Sequence, residues 1–123
     1  MVTGTVNARL EAMIRLTVYG PGGQHEDVEA VVDTGFNGSL TLPLAVIVKL
    51  GLPWRSRGSA ILANGSLDHF DIYTGTVIWD GVSRKILVEA ADTDPLIGMR
   101  LLAGYHLGIE TVAGGSVKIK SLP

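Results

Sequence analysis

Cysteine is absent from the 123-residue chain, which excludes disulfide frameworks, thiolate zinc sites and cysteine nucleophiles together. Such a chain also suits a reducing compartment. Long apolar runs are missing too. The longest, Leu40 to Leu52, carries Lys49 and Pro43 and is too short to span a bilayer as a helix. The first residues, Met1-Val2-Thr3-Gly4-Thr5-Val6-Asn7, lack a basic start followed by an apolar block, so no signal peptide is expected. Charge is sparse and mixed: ten Lys and Arg stand against twelve Asp and Glu, net −2. No basic stripe or acidic tail forms, which argues against nucleic acid or a membrane surface as partner. A soluble, cytoplasmic protein is the expectation. The chain holds no G-x-S-x-G, no phosphate-binding loop and no G-x-G-x-x-G. His25, His69 and His106 share no metal-ligand spacing, so no metal site is expected.

Glycine is what the chain has in excess. Sixteen glycines, 46% hydrophobic residues and 18% charged ones point to short strands and tight turns around an apolar centre. The length fits one domain spanning residues 1–123, and no repeat or linker divides it. Val6, Ala8, Leu10, Ala12, Ile14, Leu16 and Val18 alternate with mostly polar residues, which predicts one long strand with a buried face. Gly20-Pro21-Gly22-Gly23 breaks it, and a second strand runs from Glu26 to Val32. Asn64-Gly65, Asp80-Gly81 and Gly114-Gly115 each separate apolar segments and predict type I′ hairpins. Pro43 before Leu44–Leu50, with Gly51 after it, predicts a short helix. A second is expected over Met99–Tyr105. The fold class is therefore all-β with one or two short helices.

The segment Ala30-Val31-Val32-Asp33-Thr34-Gly35 carries the clearest chemical signal. An apolar strand delivers a carboxylate at its end, and a small hydroxyl residue and a glycine let the backbone turn. A buried, unpaired carboxylate costs several kcal/mol, so it needs a partner or a proton. On these residues alone, an Asx-turn ending a strand is the alternative reading. A second segment, Pro95-Leu96-Ile97-Gly98-Met99, places two apolar residues before a glycine and a helix-like stretch after it.

Together these segments resemble the retropepsin-like aspartic proteases, and in particular the small bacterial and archaeal members with an Asp-Thr-Gly-Phe-x-Gly loop. Here that loop reads Asp33-Thr34-Gly35-Phe36-Asn37-Gly38, followed by Leu40-Thr41-Leu42-Pro43. The similarity in order and spacing runs from about residue 6 to 120. It implies a closed acid-protease barrel with a flap hairpin. Asp33, Thr34 and Gly35 become the catalytic loop, supported by Leu96, Ile97 and Gly98, and Ala63, Asn64 and Gly65 become a substrate-binding flap tip. It implies no cofactor. Such enzymes need two carboxylates sharing a proton, yet the chain has one Asp-Thr-Gly. A homodimer acting on a peptide or protein substrate is therefore implied, with Val117–Lys120 expected at its interface. The chain departs from the retroviral pattern at Phe36, where a small residue is usual, at Met99, where an arginine is usual, and in the sparse glycine of its flap.

Other features read as ordinary surface. Trp54 with Arg55 and Arg57 makes a small basic-aromatic patch, and His69 between Asp68 and Asp71 reads as a solvated strand edge. The competing function class is a non-catalytic protein-binding or dimerisation module that keeps the fold. A module of that kind has no use for a costly carboxylate at the end of an apolar strand, and binding of a statine-type peptide separates the two readings.

Overall fold

The computed structural model describes residues 1–123. Ten strands share one sheet: β1 (Val2–Val6), β2 (Ala12–Tyr19), β3 (His25–Val32), β4 (Leu40–Leu42), β5 (Trp54–Ile61), β6 (Leu67–Trp79), β7 (Val82–Ala90), β8 (Leu96–Ile97), β9 (Tyr105–Ile109) and β10 (Ser116–Ser121). Two short helices interrupt them, α1 (Leu44–Leu50) and α2 (Met99–Leu102). The strand order is β5-β6-β7-β4-β8-β3-β2-β1-β10-β9, and β6 pairs again with β2 through Val18 opposite Val77. That extra pairing closes six strands, β6-β7-β4-β8-β3-β2, into a ring. The expectation of an all-β fold holds, in the form of one sheet closed on itself. No helix is long and apolar enough to cross a membrane.

Alternation explains the core. Ile14, Leu16 and Val18 of β2, Val28 and Ala30 of β3, and Ile86 and Val88 of β7 all point inward and are buried, because successive strand residues face opposite sides. Helix α1 begins after Pro43, ends at Gly51 with φ of 63°, and adds Ile47 and Leu50 to the core. Trp79, also buried, meets Tyr105 edge-on at 6.1 Å between ring centroids.

Four local expectations are corrected. The alternation from Val6 to Val18 is not one strand, because Asn7 folds the chain back. Its Oδ1 accepts the backbone N–H groups of Arg9 and Glu11 at 3.0 and 2.9 Å. Leu10 takes φ of 62°, and β1 and β2 become a hairpin with Thr5 opposite Met13. Asp80-Gly81 forms the expected type I′ turn, both residues having positive φ. At Asn64-Gly65 only the glycine does. There the Asn64 Oδ1 accepts the Ser66 N–H at 3.0 Å, and the Gly65 N–H donates to the Leu62 carbonyl, giving a type I turn with a bulge. At Gly114-Gly115 only Gly114 has positive φ. Glu110 holds this connection by accepting the Ser116 N–H and hydroxyl, which pull its carboxyl below the usual range. Finally α2 stops at Leu102, and Tyr105 already belongs to β9 after Gly104 turns with φ of 88°.

Candidate functional site

Asp33 follows directly on β3, and β8 runs parallel beside that strand with Val31 opposite Leu96 and Val32 opposite Ile97. The Asp33 N–H donates to the Ile97 carbonyl at 2.9 Å, and the Val31 N–H donates to that of Pro95 at 2.9 Å. On its other side β8 meets β4, with Leu40 opposite Ile97. The two-residue strand is therefore clamped between the segments that enter and leave the 33–39 loop. The buried Thr41 hydroxyl oxygen accepts the Leu96 N–H at 2.9 Å, satisfying a donor that so short a strand leaves without a ladder partner.

After β8 the chain passes over the loop and ties it down. The N–H groups of Gly98, Met99 and Arg100 donate to the carbonyls of Ser39, Phe36 and Gly38 at 3.1, 2.8 and 3.2 Å. Only glycine permits this approach at position 98, since a Cβ there would overlap the Gly38 carbonyl oxygen and Phe36. Leu96, Ile97 and Gly98 thus lie where a supporting role requires them. Phe36, half-buried, fills the space between Gly38 and Gly98.

Within the loop, the Gly35 N–H donates to Asp33 Oδ1 at 2.9 Å, and the Phe36 N–H donates to the Asp33 carbonyl at 3.1 Å. Thr34 is exposed, and its hydroxyl bonds nothing in the chain. Asp33 itself is half-buried and forms no ion pair. It faces a groove of about 450 Å³ lined mostly by apolar residues, among them Val6, Val31, Leu96 and Ile109. A carboxylate held by one backbone donor at the edge of an apolar, open groove keeps lone pairs free for an incoming group.

The hairpin residues Ala63, Asn64 and Gly65 stand at the exposed end of β5–β6 and do not line the groove around Asp33. What the hairpin does cover is a second concavity of about 660 Å³. Ala60, Asp68, His69, Phe70 and Asp71 form one wall, and Phe36, Glu89 and Asp92 contribute to the other. Burial pushes the Glu89 carboxyl above its usual range. Sequence reading passed over Glu89, because its significance lies in what surrounds it in space; the signal available was an acidic residue ending an otherwise alternating strand. No three His, Asp or Glu side chains gather as a set of metal ligands. No protein-family model matches the chain, and no curated protein does.

Proposed function

We propose that the chain is a retropepsin-like aspartic endopeptidase that works as a homodimer. The observation that carries this reading is the Asp33-Thr34-Gly35 turn, wedged beneath the parallel β8 strand and opening onto an apolar groove. One chain brings one such carboxylate, so a second must come from another copy. Two of them at a two-fold axis share one proton, because like charges that close cannot both ionise.

In this mechanism the ionised Asp33 takes a proton from a water held between the pair, and the water oxygen bonds to the peptide carbonyl carbon. The protonated Asp33 of the partner subunit gives its proton to the carbonyl oxygen, leaving a neutral gem-diol. The newly protonated Asp33 then gives its proton to the amide nitrogen while the partner's carboxylate takes one from a gem-diol hydroxyl, which breaks the C–N bond, releases acid and amine, and restores the singly protonated pair. Thr34 joins the two loops across the axis, and Leu96, Ile97 and Gly98 keep each loop rigid.

The free edge of β9 supports a particular mode of pairing. β10 lies between β1 and β9 and has both edges occupied, with Val117 and Ile119 buried. The expected interface at Val117–Lys120 therefore moves one strand outward to β9. Ile109 at its end lines the same groove as Asp33, so pairing there draws two copies of the loop toward one axis.

The test is Asp33→Asn. The variant should fold and dimerise as the wild type does, since the amide is nearly isosteric, while peptide cleavage falls to background. Wild-type cleavage should follow a bell-shaped pH profile, because only the singly protonated pair is competent. A folded Asp33→Asn dimer that still cleaves at the wild-type rate removes Asp33 from the chemistry. A wild type that binds peptides and cleaves none favours the binding-module reading.

A further inference from the structure

The chain has two Asn-Gly pairs, Asn37-Gly38 and Asn64-Gly65. An asparagine before glycine is prone to react with itself, because the glycine nitrogen closes on the side-chain carbonyl with no Cβ in its way. Both asparagines are exposed, so access to water does not separate them. Hydrogen bonding does. At Asn64-Gly65 both reacting groups are engaged. Asn64 Oδ1 accepts the Ser66 N–H at 3.0 Å and its hydroxyl at 2.6 Å, and the Gly65 N–H donates to the Leu62 carbonyl at 2.9 Å. Ring closure there has first to break these bonds.

Asn37 is held by no contact of this kind. Its side chain, its backbone N–H and its carbonyl bond nothing in the chain, and neither does the Gly38 N–H. The carbonyls on either side are tied instead, that of Phe36 to the Met99 N–H at 2.8 Å and that of Gly38 to the Arg100 N–H at 3.2 Å. Residue 37 is thus an unpinned vertex between two clamped neighbours, in the loop that begins at Asp33. Glycine is required beside it, since a Cβ at position 38 would overlap the Phe36 ring and Glu89 Oε2.

We propose that Asn37-Gly38 is a self-modification site, and that its conversion to isoaspartate releases the Asp33 loop from residues 98–100. The Gly38 nitrogen loses its proton to solvent and bonds to Asn37 Cγ. The carboxamide C–N bond breaks, and ammonia leaves with a proton from water. Water then opens the resulting succinimide. Attack at Cγ gives aspartate, and attack at the Asn37 backbone carbonyl carbon gives isoaspartate, in which the main chain runs through Cβ and Cγ. That second route inserts one carbon between the Phe36 and Gly38 carbonyls, so the pair no longer matches the spacing of the Met99 and Arg100 N–H groups. Aspartate keeps the spacing. Neither the reaction nor its readout involves peptide cleavage, so both are independent of the peptidase reading.

The experiment incubates the full chain at physiological temperature and mildly alkaline pH, with a second sample in urea, and aliquots are digested with trypsin for mass spectrometry. Trypsin places the two pairs in separate peptides, Leu16–Lys49 and Gly58–Arg84. In the folded chain the first should gain about 1 Da, the exchange of an amide nitrogen for oxygen, and split into two chromatographic isomers. The second should convert about tenfold or more slowly, because it reacts only through opening of its turn. In urea the two rates should converge. Amide hydrogen exchange at Met99 and Arg100 should be faster in the aged chain than in the fresh one. Asn37→Asp, which brings the charge without the extra carbon, should exchange there as the fresh wild type does. Equal conversion of both pairs in the folded chain, or conversion of Asn64 ahead of Asn37, overturns the proposal. So does an Asn37 that stays intact in the folded chain while it converts in urea. Unchanged exchange at residues 99 and 100 once Asn37 is isoaspartate, or fast exchange in fresh Asn37→Asp, overturns it as well.

Discussion

Glu89 and Gly98 flank the loop that begins at Asp33, and the loop constrains them in opposite ways. Gly98 is fixed by contact: three consecutive backbone donors from residues 98–100 bind the loop's carbonyls, and no larger residue fits. Glu89 is fixed by isolation. Its carboxyl titrates above the usual range because burial disfavours the charged form. The folded chain therefore holds that proton to higher pH than the unfolded chain does. Glu89 costs nothing below its unfolded pKa, and the cost grows as pH rises through the folded value. Replacing Glu89 with Gln should raise stability at neutral pH by less than ~1 kcal/mol, since solvent still reaches the group, and leave it unchanged near pH 3. Urea denaturation at the two pH values checks this, and a loss of stability at neutral pH would contradict it. Gly98 was legible in the sequence because an apolar pair ending in glycine is a local pattern. Glu89 was not, because its solitude depends on β4 and the 33–39 loop, some fifty residues away in the chain.

Among the elements, sequence periodicity located strands well and mistook one break. Val6 to Val18 keeps its alternation through the turn, so Ala8 and Leu10 look like core residues while both are exposed. The local signal was Asn7, whose side chain bonds the backbone two and four residues on and donates to Glu11 Oε1 at 2.9 Å. Side chains of this type offer the backbone an alternative to the ladder. The same chemistry decided the hairpins. Asp80 accepts a left-handed conformation and gives the two-residue turn, whereas Asn64 spends its oxygen on Ser66 and gives the longer one. Asn7→Ala should therefore destabilise the chain by about 1–2 kcal/mol, the cost of removing a side chain that satisfies several backbone donors. Melting temperature should fall by roughly 3–8 °C for a chain of this size. An unchanged melting temperature would show that the β1–β2 pairing, not Asn7, holds the turn.

For the whole molecule the open question is how the sheet ends. The ring of six strands has no edges, but the appended strands leave two, at β5 and β9. An unpaired edge is a template for another strand, and β9 is the one whose end borders the Asp33 groove through Ile109. Removing residues 116–123 is a poor test of association, because Val117 and Ile119 belong to the core and their loss would unfold the chain. A proline in β9 is selective. The Glu110 N–H donates inward to the Ser116 carbonyl at 2.9 Å, and alternation along an antiparallel strand turns the neighbouring Ile109 N–H outward. Ile109→Pro therefore deletes an outward donor and spares the ladder to β10, as proline at a sheet edge can. The variant should keep a wild-type circular dichroism spectrum and melt within a few degrees of it. By light scattering over a dilution series, it should be monomeric at concentrations where the wild type is dimeric. Peptide cleavage should fall in parallel, because a monomer contributes one carboxylate and the chemistry needs two. If Ile109→Pro stays dimeric and active, the copies meet through a surface other than β9. If the wild type is itself monomeric at every concentration, with and without a statine-type peptide, no dyad forms and the peptidase reading fails.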